Sequence, residues 1–162
     1  MVESSLSKNQ RVITYLIDRL GPRIEGRTKL MKLMFLIEHY NPESKELTKK
    51  GLLHNDFIIY FFGVFSRDVM NDYLRLYNMK VLDEVGTRPT LLKHENSLDL
   101  DDETKSRVDL IISEFGNYEG SLLVHYTLKR LGLTKETKDD HFEESVIPLI
   151  PDTHKRSRLA SS

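Results

Sequence analysis

Apolar residues recur at helical spacing through much of this chain. Ile13, Leu16, Ile17 and Leu20 fall at i, i+3, i+4 and i+7, the single stripe of an amphipathic helix. The spacing predicts a first helix over 7–20. Ser7 and Gln10 stand in capping-box positions at its start, and Gly21-Pro22 stops it. A second helix is predicted over 27–39, where Leu30, Leu33, Met34 and Ile37 repeat the period. Met31, Phe35 and Leu36 carry the apolar surface most of the way round, so this helix should be central and covered by several neighbours. Its polar exceptions are Arg27, Lys29, Lys32, Glu38 and His39, and Asn41-Pro42 ends it.

The pattern changes over 57–65, Phe-Ile-Ile-Tyr-Phe-Phe-Gly-Val-Phe. This aromatic and β-branched run predicts one buried strand leading into a turn at Gly63. Ser66 is then placed to cap a third helix, with Asp68 in its first turn and Met70, Tyr73, Leu74 and Tyr77 as its stripe. Segments 81–85 and 90–94 predict a β-hairpin turning through Gly86-Thr87-Arg88-Pro89. Asp101-Asp102-Glu103 opens a fourth helix, and a fifth is predicted over 121–131. Residues 43–55 suggest a loop or a short exposed helix. Beyond Thr134 the periodicity weakens: Phe142, Val146 and Ile147 fit one short helix, and 152–162 suggests a frayed tail.

The expected fold class is mainly α with a small antiparallel β element (α+β), with about five helices. One helical domain carrying a β-hairpin is expected over 1–134, followed by a weakly structured segment and tail over 135–162. An apolar fraction of 39% in 162 residues is enough for one real core. No apolar run approaches the roughly 20 residues of a membrane span, and no signal-peptide pattern opens the sequence, so a cytoplasmic protein is expected.

Composition removes several chemistries. With no cysteine there is no disulfide framework, no cysteine zinc site and no thiol nucleophile. The six histidines show no H-E-x-x-H spacing. Asp139-Asp140-His141-x-x-Glu144 could gather around a cation, but solvated charge is the simpler expectation. No G-x-S-x-G, Walker A or G-x-G-x-x-G run is present. Ser66, between a strand and a helix, superficially matches a nucleophile elbow, yet a helix cap accounts for it. The adjacent acids Asp83-Glu84 and Glu143-Glu144 diverge in a strand or helix. No cofactor, no metal and no catalytic set are therefore expected.

The order helix, turn, helix, strand, helix, hairpin is that of a winged helix, with an insertion over 43–56. In that arrangement Arg67, Asn71 and Arg75 on the third helix and Arg88 at the wing would meet DNA. Asp68 and Asp72 share the helix, and the net charge is −1, which opposes phosphate contact and favours protein contact instead. The aromatics Phe57, Tyr60, Phe61, Phe62 and Phe65 are expected to pack on both faces of their strand. The sharper alternative places one subset at a partner surface.

The run Lys29-Leu30-Met31-Lys32-Leu33-Met34-Phe35-Leu36, followed by Phe62-Gly63-Val64-Phe65-Ser66, resembles the Panacea (SocA-like) antitoxin domain family. That family carries a K-L-x-K-L run with two further apolar residues, then a G-P-x-S-like turn opening the next helix. Lys29, Leu30, Lys32, Leu33, Gly63 and Ser66 match. Met31 replaces the usual glutamine, and Val64 the usual proline. The segment 118–127 resembles the family's closing helix. Gly26-Arg27-Thr28-Lys29-Leu30 is also similar to uncharacterised Bacillus and archaeal proteins with a G-R-x-K-L-x-K run. The resemblance implies a partner protein: a neutralised toxin, or a client delivered to a protease. The expected contact surface comprises Lys29, Lys32, Gly63, Phe65, Ser66 and Arg67. A DNA-binding regulator using Arg67, Asn71, Arg75 and Arg88 is the alternative, and a homodimer is compatible with either.

Overall fold

A computed structural model describes residues 6–93 and 100–152. Five α-helices and three two-stranded antiparallel hairpins follow in the order α1 (Lys8–Leu20), α2 (Arg27–His39), β1 (Tyr40–Asn41), β2 (Glu46–Leu47), β3 (Ile58–Tyr60), β4 (Gly63–Phe65), α3 (Arg67–Asn78), β5 (Leu82–Val85), β6 (Arg88–Leu91), α4 (Asp102–Phe115) and α5 (Gly120–Arg130). The fold is mainly α with small antiparallel β elements, as the periodicities predict. Among the described residues no helix is long and apolar enough to cross a membrane.

Local chemistry sets the helix ends. The Ser7 hydroxyl accepts from the Gln10 amide at 3.1 Å, and the Ser7 amide donates to Gln10 Oε1 at 2.9 Å, completing the capping box of α1. Ser66 caps α3 through the Val69 amide, and Asp101 caps α4 through the Thr104 amide at 2.8 Å.

Helix α2 is the axis of the molecule. Eleven of its thirteen residues are buried, because α5, α4, α3 and β4 all pack around it. Arg27, in its first turn, is exposed, while Lys29, Lys32, Glu38 and His39 are buried. Each reaches a different neighbour. Arg27 pairs with Glu84 of β5. The Lys29 amine donates to the Arg23 and Gly116 carbonyls, both at 2.7 Å. The Lys32 amine donates to the Val64 carbonyl at 2.9 Å. Glu38 accepts from the amides of Leu53, His54 and Asn55. The His39 ring bonds the Thr48 carbonyl at 2.9 Å. A buried polar group is tolerable when it is partnered, and here that partnering also fixes which segment lies on which side of the helix.

Three expectations need correction. The run 57–65 is not a single strand. It is the β3–β4 hairpin, with Tyr60 opposite Gly63 and Phe61-Phe62 as the turn. The second expected hairpin forms, but its turn is only Gly86-Thr87. Arg88 and Pro89 belong to β6, paired with Val85 and Glu84. His94 of the expected strand lies outside the described residues. The described part of the segment after Thr134 is built into the fold as far as Ile150. Residues 143–146 lie along the outer edge of β3, where the Ile59 amide bonds the Glu144 carbonyl, the Glu143 amide bonds the Ile59 carbonyl and the Val146 amide bonds the Phe57 carbonyl. Val146 and Ile150 are fully buried. The backbone of β3 is thereby satisfied on both sides.

Candidate partner-binding site

The β3–β4 hairpin carries bulky side chains where hairpin tips usually carry Asn-Gly, and one glycine explains how. Two-residue turns of the primed types need positive φ at a central residue, which phenylalanine resists. Neither Phe61 nor Phe62 has positive φ here. Gly63, immediately after them, takes it instead at 94°. The two phenylalanines are left projecting, Phe61 62% exposed and Phe62 71% exposed. The stem behind them is anchored. Phe57, Ile59 and Val64 are buried, the Lys32 amine holds the Val64 carbonyl, and the Ser66 amide points at the Met31 sulfur at 3.4 Å.

An aromatic ladder stiffens one side of the tip. The Tyr60 ring lies 4.7 Å from Phe61, 4.9 Å from Phe65 and 5.3 Å from Phe142, the last two stacked. The Arg67 guanidinium sits 5.5 Å over Tyr60 and pairs with Glu143 at 3.3 Å. Ring pairs at such spacings add to plain area burial, so the tip is a held feature and not a free loop.

Two depressions flank the phenylalanines. One, of about 290 Å³, is lined by Arg27, Thr28, Met31, Lys32, the hairpin aromatics and Met70. The other, of about 500 Å³, is lined by Thr28, Phe61, Phe62, Ser121, Val124, Lys135 and Lys138. Burial pushes the Lys32 amine down to about 7, so an apolar wall and a partly neutral amine close the floor of the first. Paired exposed aromatics between apolar recesses are the physical form of an interaction anchor.

The residues expected to contact a partner divide in two. Phe65 and Arg67 stand beside the tip, Phe65 half-buried and Arg67 exposed. Lys29, Lys32, Gly63 and Ser66 do not reach the surface. Lys32, Gly63 and Ser66 are internal supports of the hairpin and the turn before α3, while Lys29 ties α2 to the α1–α2 turn and the end of α4. The motif residues that carry the family resemblance thus build the platform on which the tip stands. Phe61, Phe62, Lys135 and Lys138 lie outside the contact set expected from sequence. In the sequence the tip is signalled by the alternative that puts one aromatic subset at a partner surface, and by Gly63, a conformational outlet directly after two large apolar residues.

The residues expected to meet DNA are exposed, but Arg88 lies on a different element from the other three. Arg67, Asn71 and Arg75 share one outward stripe of α3, with Arg67 held by Glu143. Arg88 instead lines a depression with Ile17, Gly21 and Pro22 at the α1–α2 corner. The β5–β6 hairpin is folded down on that corner: the Thr87 hydroxyl donates to the Glu25 carbonyl at 2.6 Å, and Pro89 is buried. A wing tip bonded to its own chain does not project toward a duplex.

Ser66 is fully buried with its oxygen engaged as the helix cap. The His141 ring bonds Glu144 at 2.9 Å, and among the described residues no three His, Asp or Glu side chains gather as a metal site. No family model matches the chain, and neither a curated protein nor a solved structure matches it.

Proposed function

We propose that this chain is a non-catalytic protein-binding module of antitoxin or adaptor type, which neutralises or delivers a partner protein through the Phe61-Phe62 tip. The observation that carries the proposal is the side-by-side exposure of these two phenylalanines, 62% and 71%, on a stem whose other residues are fixed. Leaving an aromatic side chain in water forgoes roughly 1.5–3 kcal/mol of burial. Two adjacent cases between apolar recesses favour a surface that is covered in use. The resemblance of the K-L-x-K-L run and the following glycine–serine turn to the Panacea family supports the antitoxin or adaptor class.

The test compares the wild-type chain with a Phe61→Ser/Phe62→Ser variant as baits in the source cells. Both should melt at similar temperatures, because exposed positions away from the core change stability little. A stoichiometric protein held by the wild type and lost by the variant is the expected result. Recovery of no stoichiometric protein, or equal recovery by both baits, would overturn the proposal.

A further inference from the structure

The site's charge narrows what the partner offers, given that the tip binds protein at all. Arg27, Lys32, Lys135 and Lys138 line the two depressions, and no aspartate or glutamate lines either. The carboxylates that act on cations around this rim are Glu84 on Arg27, Asp139 on Lys138, Glu143 on Arg67 and Glu136 beside Lys135. Lys135 is exposed. The Lys138 side chain is only 13% exposed, so its stem forms wall while its charge sits at the edge. The Lys32 amine uses a single hydrogen bond, to Val64. Arg27, Lys135 and Lys138 carry the charge at this rim, on a chain whose net charge is −1, while Lys32 lies buried behind it.

We infer that the Phe61-Phe62 tip and its two flanking depressions dock an acidic, apolar-rich peptide segment of the partner. Large apolar side chains of that segment enter the depressions on either side of the tip, and its carboxylates face Lys135 and Lys138. Burial against the phenylalanines supplies the anchor. The lysines set charge preference and association rate more than raw affinity. A basic segment would meet the same lysines with like charge and be rejected.

Two sets of short peptides with identical randomised apolar positions provide the test. One set carries aspartate and glutamate at the remaining positions, the other lysine and arginine. Each is screened against the full chain at low salt, and retained peptides are then titrated against variants. Acidic peptides should dominate among those retained. Lys135→Glu/Lys138→Gln should weaken them by about tenfold, and Phe61→Ser/Phe62→Ser should abolish their binding. Lys135→Glu alone, at an exposed position, keeps the test valid if the double variant is less stable. Equal retention of both sets, retention of neither, or unchanged affinity in the lysine variants would each overturn the inference. Peptides that bind regardless of charge yet are lost with the phenylalanines would overturn this inference alone and leave the protein-binding proposal standing.

Discussion

The Lys32 amine lies 2.9 Å from the Val64 carbonyl oxygen, tying the central helix to the strand behind the aromatic tip. The bond is bought with desolvation, since Lys32 is 2% exposed and no carboxylate pairs with it. Burial lowers its pKa from 10.5 to about 7. The sign follows from proton counting. Between about pH 7 and 10.5 the unfolded chain holds this proton and the folded chain does not, so stability rises with pH across that window. Below it the full penalty acts against the fold. Lys32→Met should therefore be more stable than wild type at pH 7 by about 1–2 kcal/mol. Its stability should also rise less steeply between about pH 7 and 9.5. Denaturant midpoints across that range check this, and a slope equal to the wild type's would contradict it.

His39 produces a dependence on the acid side. Its Nδ1 must carry the hydrogen, because its partner at 2.9 Å is the Thr48 carbonyl. Nε2 is buried with no partner, and the ring lies among Phe35 and Phe57, 5.5 and 6.2 Å away. Desolvation lowers the pKa from 6.5. The stabilising contribution of the neutral ring is thus complete above pH 6.5 and is lost as pH falls from there through the lower folded value. An NMR titration should show the His39 ring taking up its proton below pH 6.5, and His39→Asn should flatten the stability profile just below that pH. A ring that titrates at the ordinary histidine value would contradict the prediction.

Glu84 joins three elements. It accepts from Arg27 Nε at 2.7 Å and Nη2 at 3.0 Å, and from the Tyr73 hydroxyl at 2.5 Å. The Arg27 bond, helped by Tyr73, holds its carboxyl below the usual range. Tyr73 is 1% exposed, so Glu84→Ala strands a buried hydroxyl and should destabilise by about 2–3 kcal/mol. Tyr73→Phe removes the donor but leaves Glu84 with Arg27, and should cost about 1 kcal/mol. Arg27→Ala should cost least, under about 1 kcal/mol, because its side chain is 43% exposed. Thermal unfolding should return that order, and a different ranking would count against Glu84 as the shared acceptor.

The bundle was legible because its information is local. Ile13, Leu16, Ile17 and Leu20 announce α1, and Ser7, Ser66 and Asp101 announce three helix starts, each through contacts within a few residues. The all-round apolarity of 27–39 likewise foretold a covered axis. What stayed hidden depends on distant partners. A lysine in sequence reads as surface, yet Lys29 is buried because the Gly116 carbonyl arrives from 87 positions away. The spacing of Phe142, Val146 and Ile147 suggests a short helix, but residues 143–146 take their order from backbone pairing to β3. In the nine-residue aromatic run, alternation could not separate a long strand from a hairpin whose turn residues are themselves aromatic. The tip that supports the proposed function was therefore hidden inside what looked like core.

Glu38 organises the chain between α2 and β3. Its two carboxylate oxygens accept from Leu53, His54 and Asn55 amides at 2.6, 2.8 and 3.0 Å, although the residue itself is fully buried. Successive amides converging on one carboxylate form an anion-binding concavity. Glu38→Ala should cost about 3 kcal/mol or more, since three buried donors lose their acceptor. Gly51 packs so close that any side chain there would collide with the Glu38 carboxylate, so Gly51→Ala should destabilise the same loop. Hydrogen exchange at Leu53, His54 and Asn55 should accelerate in both variants while exchange in α1 stays slower. Unchanged protection in Glu38→Ala would refute the role.

Gly63 separates the conformational requirement of the tip from its packing. A Cβ at this position would sit 3.6 Å from Leu128 and 3.7 Å from Lys32 and Val124, ordinary contact distances. Space is therefore not the constraint. The φ of 94° is, because an L side chain rarely adopts it. Gly63→Ala should lower stability by about 1–2 kcal/mol. The strain falls on the turn that presents Phe61 and Phe62, so partner affinity should drop by more than the loss of folded protein explains. Affinity measured well below the variant's melting temperature distinguishes the two effects. A Gly63→Ala chain that binds as tightly as the wild type would show that the phenylalanines do not need this turn to reach their partner.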